Sequence, residues 1–226
     1  MITTERADDV LVVTLDRPER RNALTPSGLD ELEAAVTDAD APVVYLQGAG
    51  DAFCAGADLD VVADLDDPHE FAAHGQVVAR AIEDSEPVVV AGIDGAARGG
   101  GVELALACDL RVGTADATFA ETGVELGLFG AWGGTARLPR VVGEGEAMDI
   151  ALSGRVVDAE AALRMGLLSR VTSDPRAVAD EIAANDHGAL AVLKRRLRDD
   201  AGTTEQERQE ADAFAELHAA ADFDRA

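Results

Sequence analysis

The stretch PVVVAGIDGAARGGGVELALACDLRV, residues 87–112, restricts the fold more than any other. Its first part, PVVVAGIDG (87–95), is apolar on successive residues rather than alternate ones. That predicts a strand buried on both faces, the environment of a parallel sheet covered by helices. Three consecutive glycines follow and run into a segment that is apolar on every side, with one carboxylate, Glu103, inside it. Such a unit needs further strands beside it and further helices around it. VLVVTL (10–15), PVVYLQG (42–48) and DLRVGT (109–114) read as those strands. A helix opens at Thr25-Pro26, with proline in its first turn, and the small-residue loop AGDAFCAGADL (49–59) leads into another. A glycine-rich span, TGVELGLFGAWGGT (122–135), precedes a last third that is mostly helical and is interrupted by one strand, LLSRVT (167–172). Strands alternating with helices predict an α/β fold, and the accumulating C-terminal helices predict a cap or an oligomerisation arm.

Charge narrows the partners. Over 226 residues, 19 basic and 44 acidic side chains leave a net charge of −25, and Lys194 is the only lysine. Small soluble domains usually carry a magnitude of roughly 2–8. Self-repulsion of this size is screened when salt near 1 M shortens the Debye length to about 3 Å. An acidic, lysine-poor surface over a 47% hydrophobic composition reads as adaptation to a salt-rich cytoplasm. The same charge argues against nucleic acid or an anionic membrane as partner. Cys54 and Cys108 make no disulfide framework, and no ligand spacing points to a metal. The acidic, polar N-terminus is not a signal peptide, and no apolar run approaches the roughly 20 residues that span a bilayer. The expectation is a cytoplasmic protein.

The glycines at 99–101 stand where a strand turns into a helix. A helix start leaves backbone N–H groups free at an electropositive end, and glycines let a ligand oxygen approach them. The spacing fits neither GxGxxG nor GxxxxGK[ST], which leaves a carbonyl oxygen gaining negative charge as the second candidate after phosphate. Glu103 lies on the same helix face as Gly100, so carboxylate and amide can address one substrate. A first-turn glutamate is also a common capping residue. FCAGADL (53–59) is a second small-residue turn from strand end to helix, and its Ala57 amide offers a second donor.

DRPERRNALT, FCAGADL, the 87–112 stretch, GGTARLPRVVG and ALSGRVVDAEAALRMGLLSRV follow one another in the order and spacing of the enoyl-CoA hydratase/isomerase (crotonase) family, which the chain resembles over nearly its whole length. The resemblance implies a crotonase-like spiral of β-β-α turns with a C-terminal helical region. It divides the chain into a core at 1–172, holding the CoA and acyl site, and a shortened trimerisation or capping region at 173–226. It implies an acyl-CoA substrate, no cofactor beyond the CoA of that substrate, and a homotrimer or homohexamer. By motif match the Ala57 and Gly100 amides hold the thioester carbonyl, and Glu103 is a catalytic acid/base. Arg21-Asn22-Ala23-Leu24 resembles the loop that contacts CoA, with Arg21 and Ala23 as contacts, and Ala55, Asp58 and Leu59 match positions around the same CoA.

The sequence departs from the family where a second glutamate normally follows proline. Gap-free alignment puts Thr122-Gly123 there, with Glu121 and Glu125 near but out of register. Glu121 reads as a solvated surface acid, or as a substitute brought in by a shifted loop. Hydration leads; isomerisation, thioester decarboxylation or hydrolysis, and a non-catalytic CoA-binding module are the alternatives. None of the five serines lies in G-x-S-x-G, which disfavours a serine hydrolase. Trp132 is expected either to floor the acyl pocket or to pack, Arg98 to form a surface ion pair, and His69 and His74 to be solvated or structural.

Overall fold

The computed structural model describes residues 1–221; the last five residues of the expected C-terminal region lie outside the described residues. In chain order the elements are β1 (Ile2–Ala7), β2 (Val10–Leu15), α1 (Pro26–Thr37), β3 (Val43–Gly48), β4 (Ala52–Cys54), α2 (Leu59–Ala63), α3 (Pro68–Asp84), β5 (Val88–Ile93), β6 (Ala96–Arg98), α4 (Gly100–Ala107), β7 (Leu110–Gly113) and β8 (Thr118–Ala120). A 3₁₀ turn at Thr122–Leu126 leads to α5 (Gly134–Val142), α6 (Glu144–Ser153), β9 (Val157–Asp158), α7 (Ala159–Arg164), β10 (Arg170–Val171), α8 (Pro175–Ala183), α9 (His187–Arg198) and α10 (Thr203–Ala220).

Two sheets run side by side. One has the order β1-β2-β3-β5-β7-β10, parallel except for the β1–β2 hairpin; the other is β4-β6-β8-β9. Each turn of the chain lays one strand in each sheet: β3 then β4, β5 then β6, β7 then β8. Helices follow the first two of these pairs, which makes the expected β-β-α spiral. β5 is buried at every residue, as its unbroken apolar run requires. Its flanks are closed by two apolar clusters. One joins α1, α3 and α4 around Leu32, Val78, Phe53 and Leu104; the other packs Val178, Ala179 and Ala183 of α8 on Val43, Tyr45, Val88 and Val90. The C-terminal region therefore starts with a helix that belongs to the core.

β1 is an exposed edge strand, ITTERA, whose polar outward residues hide it in the sequence. The strand expected at 167–172 shrinks to Arg170–Val171. α9 is tied down by the lone lysine: Lys194 Nζ lies 3.0 Å from the Asp109 carboxylate and donates to Pro87 O at 2.7 Å. No helix among the described residues is long and apolar enough to cross a membrane.

Candidate active site

The parallel strand ends of β4, β6 and β8 converge where α4 begins. Gly99 N donates to Ala120 O at 3.0 Å, which binds the start of α4 to the end of β8. The turn before α2 lies against the same point. Gly56 has φ +86°, and a Cβ built on it would stand 2.8 Å from Gly100 N and 2.7 Å from Arg98 O. This approach brings the peptide that follows Gly56 beside the first amide of α4. Neither Ala57 N nor Gly100 N donates to another group among the described residues. The bridge that seats Ala57 uses its neighbours instead: Leu24 N donates to Gly56 O at 2.8 Å and Asp58 N to Leu24 O at 2.9 Å. Two amides from separate turns are thus left without a protein acceptor among the described residues, and donors of that kind can serve an oxyanion.

Glu103 is 1% exposed. It does not cap its own helix. Its carboxylate accepts from Trp132 N at 3.0 Å and from Gly134 N at 2.6 Å, both on the glycine-rich span. This corrects the capping reading: the first-turn position holds, but the acceptor points across to the start of α5. Burial raises its pKa, opposed by the Trp132, Gly134 and Gly133 amides and by the charge of Arg137. Arg137 in turn donates to Trp132 O at 3.3 Å and pairs with Glu83 at 2.5 Å.

Glu121 is 9% exposed and lines the same cavity as Glu103. The expectation of a solvated surface acid is therefore wrong. It follows β8 directly, and the Gly99–Ala120 bond sets it next to α4. Glu125 points to solvent. No amide or cation among the described residues bonds the Glu121 carboxyl; burial, and then the Glu103 charge, push its pKa up to about 8. Its neighbour Glu103 has the amides, so of the two carboxyls Glu121 is the one that burial and a like charge bias toward the protonated form.

The expected CoA-contact residues differ in exposure. Ala23 is buried, Ala55 half-buried, and Arg21 and Leu59 are exposed. Ala55 N donates to Arg21 O at 2.9 Å, and Asn22 Nδ2 donates to the carbonyls of Ala49, Ala52 and Phe53, clasping the two loops together. Asp58 is 2% exposed and is committed to the protein. It accepts from Arg17 at 2.6 Å, from Arg20 at 3.1 Å and from Asp60 N at 3.0 Å. Burial would raise its pKa, and these bonds outweigh burial and hold it low. Arg21, by contrast, has no acidic partner among the described residues.

Trp132 packs rather than lining the cavity. It is 3% exposed and meets the Phe71 ring edge-on at 5.9 Å. Its indole fills the space where Cβ atoms on Gly75 and Gly100 would stand, 2.1 and 2.3 Å from its ring atoms. Among the described residues Arg98 forms no ion pair, contrary to expectation; it donates to Ala97 O, Thr118 O and Thr118 Oγ1. His74 pairs with Asp30 at 2.9 Å, a brace between α3 and α1, and His69 is exposed. Among the described residues no cluster of His, Cys, Asp and Glu has the arrangement of a metal site.

Known proteins share both the sequence and the fold. The family model described as enoyl-CoA hydratase/isomerase matches residues 5–225. The chain is 36% identical over 230 residues to a crotonyl-CoA hydratase of Syntrophomonas wolfei, covering 94% of this chain and 88% of the relative. It is 39% identical over 193 residues to an (E)-benzylidenesuccinyl-CoA hydratase of Thauera aromatica, covering 79% and 72%. The crystal structure of an enoyl-CoA hydratase from Thermoplasma volcanium superposes with a TM-score of 0.90 at 30% identity, covering 96% and 92%. Strand order and these likenesses agree, and the chain belongs to the enoyl-CoA hydratase/isomerase family.

Proposed function

We propose that the protein is an enoyl-CoA hydratase that adds water across a 2-enoyl-CoA thioester, with Glu103 and Glu121 as its acid/base pair. The single observation behind this reading is that both carboxyls line one cavity at the start of α4, in different protonation environments. The thioester carbonyl takes the Ala57 and Gly100 amides, which stabilise the enolate as negative charge builds on oxygen. The Glu103 carboxylate accepts a proton from the water whose oxygen bonds to C3. The Glu121 carboxyl gives its proton to C2. The sum is addition of one water, and a proton passing from Glu103 to Glu121 resets the pair. Two carboxyls in unlike settings, one held by backbone amides and one without them, suit this division of labour better than a single shuttle, and that favours hydration over isomerisation.

Arg21, exposed and without an acidic partner among the described residues, is assigned in this reading to the CoA phosphates, while Arg17 and Arg20 hold Asp58 and shape the loop. In the same reading Ala23, Ala55 and Leu59 contact the CoA. The trimer or hexamer belongs to the same reading. α10 buries none of its described residues, and Leu197 and Phe214 are 77% and 69% exposed, which leaves apolar surface for a second copy.

The test is hydration of crotonyl-CoA and longer 2-enoyl-CoAs at high salt, followed by loss of the enoyl thioester's ultraviolet absorbance. Turnover by wild type is expected. A preparation that binds acyl-CoA without hydrating any of them supports the CoA-binding module instead.

A further inference from the structure

The cavity that holds the two glutamates is far larger than a four-carbon acyl group requires. Its volume is about 580 Å³. Four carbons occupy on the order of 120 Å³ if each takes roughly the 30 Å³ share of a liquid water. Beyond Glu103 and Glu121 the walls are Val124, Leu128, Phe129, Leu138, Met148 and Leu152, contributed by the 3₁₀ turn and the loop after it, α5 and α6. Leu128, Phe129, Met148 and Leu152 are 52%, 71%, 52% and 71% exposed, so the far end is an open apolar rim. The described lining residues include no Arg, Lys or His, and the one charge beyond the catalytic pair is Glu144. A tail with a terminal carboxylate would meet that acid and find no cation.

We infer that this site selects 2-enoyl-CoAs with long, uncharged, apolar acyl tails, of about eight carbons or more, over crotonyl-CoA and over acyl groups that carry a second carboxylate. This rests on the hydratase reading for the position of the thioester. The commitment to a tail, rather than a second copy, as occupant of the rim comes from its continuity with the two glutamates, which line the same cavity as the rim residues. Each methylene moved from water to such a wall is worth about 0.8 kcal/mol, or roughly fourfold in affinity, when burial is complete. An open rim recovers part of that.

The experiment uses saturated acyl-CoAs, which bind without turning over: butyryl-, octanoyl-, dodecanoyl- and octanedioyl-CoA, titrated calorimetrically into the full chain in high salt. Octanoyl-CoA is expected to bind at least tenfold more tightly than butyryl-CoA, dodecanoyl-CoA no more weakly than octanoyl-CoA, and octanedioyl-CoA at least tenfold more weakly than octanoyl-CoA. Leu152→Arg, at an exposed position, is expected to narrow or reverse the octanoyl-to-octanedioyl preference. Equal affinity for butyryl- and octanoyl-CoA overturns the inference, as does octanedioyl-CoA binding as well as octanoyl-CoA; a rim occupied by a second copy would give the first of these results. The two readings fail separately. An enzyme that hydrates crotonyl-CoA but is indifferent to tail length keeps the hydratase assignment and loses this inference. A protein that ranks the tails as stated but hydrates nothing does the reverse.

Discussion

Glu121, just past the end of β8, and Glu103, in the first turn of α4, reach one cavity, and the charge on Glu103 raises the pKa of Glu121. The asymmetry lies in their partners. Amides of Trp132 and Gly134 receive Glu103, while Glu121 faces the cavity with burial and a like charge alone. Two carboxyls of the same kind are thereby set to opposite tasks.

Glu103→Gln keeps an acceptor for the Trp132 and Gly134 amides but removes the base. We expect kcat to fall by about 10²–10⁴, the usual contribution of a positioned acid/base group, with unchanged circular dichroism and little change in acyl-CoA affinity. Wild-type rates in this variant would take Glu103 out of the chemistry.

The oxyanion amides have no side chain of their own to delete, so a neighbour must test them. Gly56→Ala places a Cβ 2.8 Å from Gly100 N at φ +86°, which forces the two turns apart. The loss of one aligned donor is worth about 10²–10³ in kcat. We expect a fall of at least tenfold in kcat with KM changed much less. A variant that folds and turns over at the wild-type rate would mean that these amides do not hold the thioester.

Trp132 connects packing to chemistry, because its ring is wedged against Gly75 and Gly100 while its amide holds Glu103. In Gly75→Ala the new methyl group meets the indole 2.1 Å away. Overpacking of this kind costs about 1–3 kcal/mol. The expected result is a lower Tm, a shifted emission from the sole tryptophan and a reduced kcat. Loss of stability with kcat intact would separate the ring from the site.

The spiral is legible in the sequence because local chemistry demands it. An apolar run such as β5 can only be interior, and glycines at a strand-to-helix junction mark the start of α4, where the Gly100 amide has no backbone acceptor among the described residues. Glu121 is not legible by counting residues from the family's missing glutamate at Gly123. Its place is fixed by a nonlocal bond, Gly99 N to Ala120 O, which anchors the end of β8 against α4. The signal was present in the topology: the residue that follows a parallel strand next to β6 must emerge beside Gly99. The cradle of Glu103 was hidden for a similar reason, since its donors lie 29 and 31 residues away on a glycine-rich span with no periodicity to read. β1 escaped because an exposed edge strand needs no apolar pattern.

The net charge of −25 bears on stability rather than on the fold. If the surface is adapted to salt, Tm rises by about 5 °C or more between 0.1 and 2 M KCl, because 1 kcal/mol corresponds to roughly 2–4 °C in a chain of this size. Asp58→Asn is expected to cost about 1.5–3 kcal/mol at either salt concentration, since it removes the shared acceptor of Arg17 and Arg20 from a buried position. A Tm that is flat or falling with salt would leave the acidic surface without this explanation.

The most direct test of the carboxyl pair is the pH dependence of kcat/KM for 2-enoyl-CoA hydration, in wild type and in Glu121→Gln. A group that must donate a proton works below its pKa, and in the free protein that of Glu121 is pushed up to about 8. Wild-type kcat/KM should therefore hold through neutrality and fall as pH rises past about 8, while Glu121→Gln should have kcat/KM about 10²-fold lower and lose that alkaline fall. A variant with the wild-type rate and the same alkaline limb would contradict the assignment of Glu121 as the acid, and with it the two-carboxyl account.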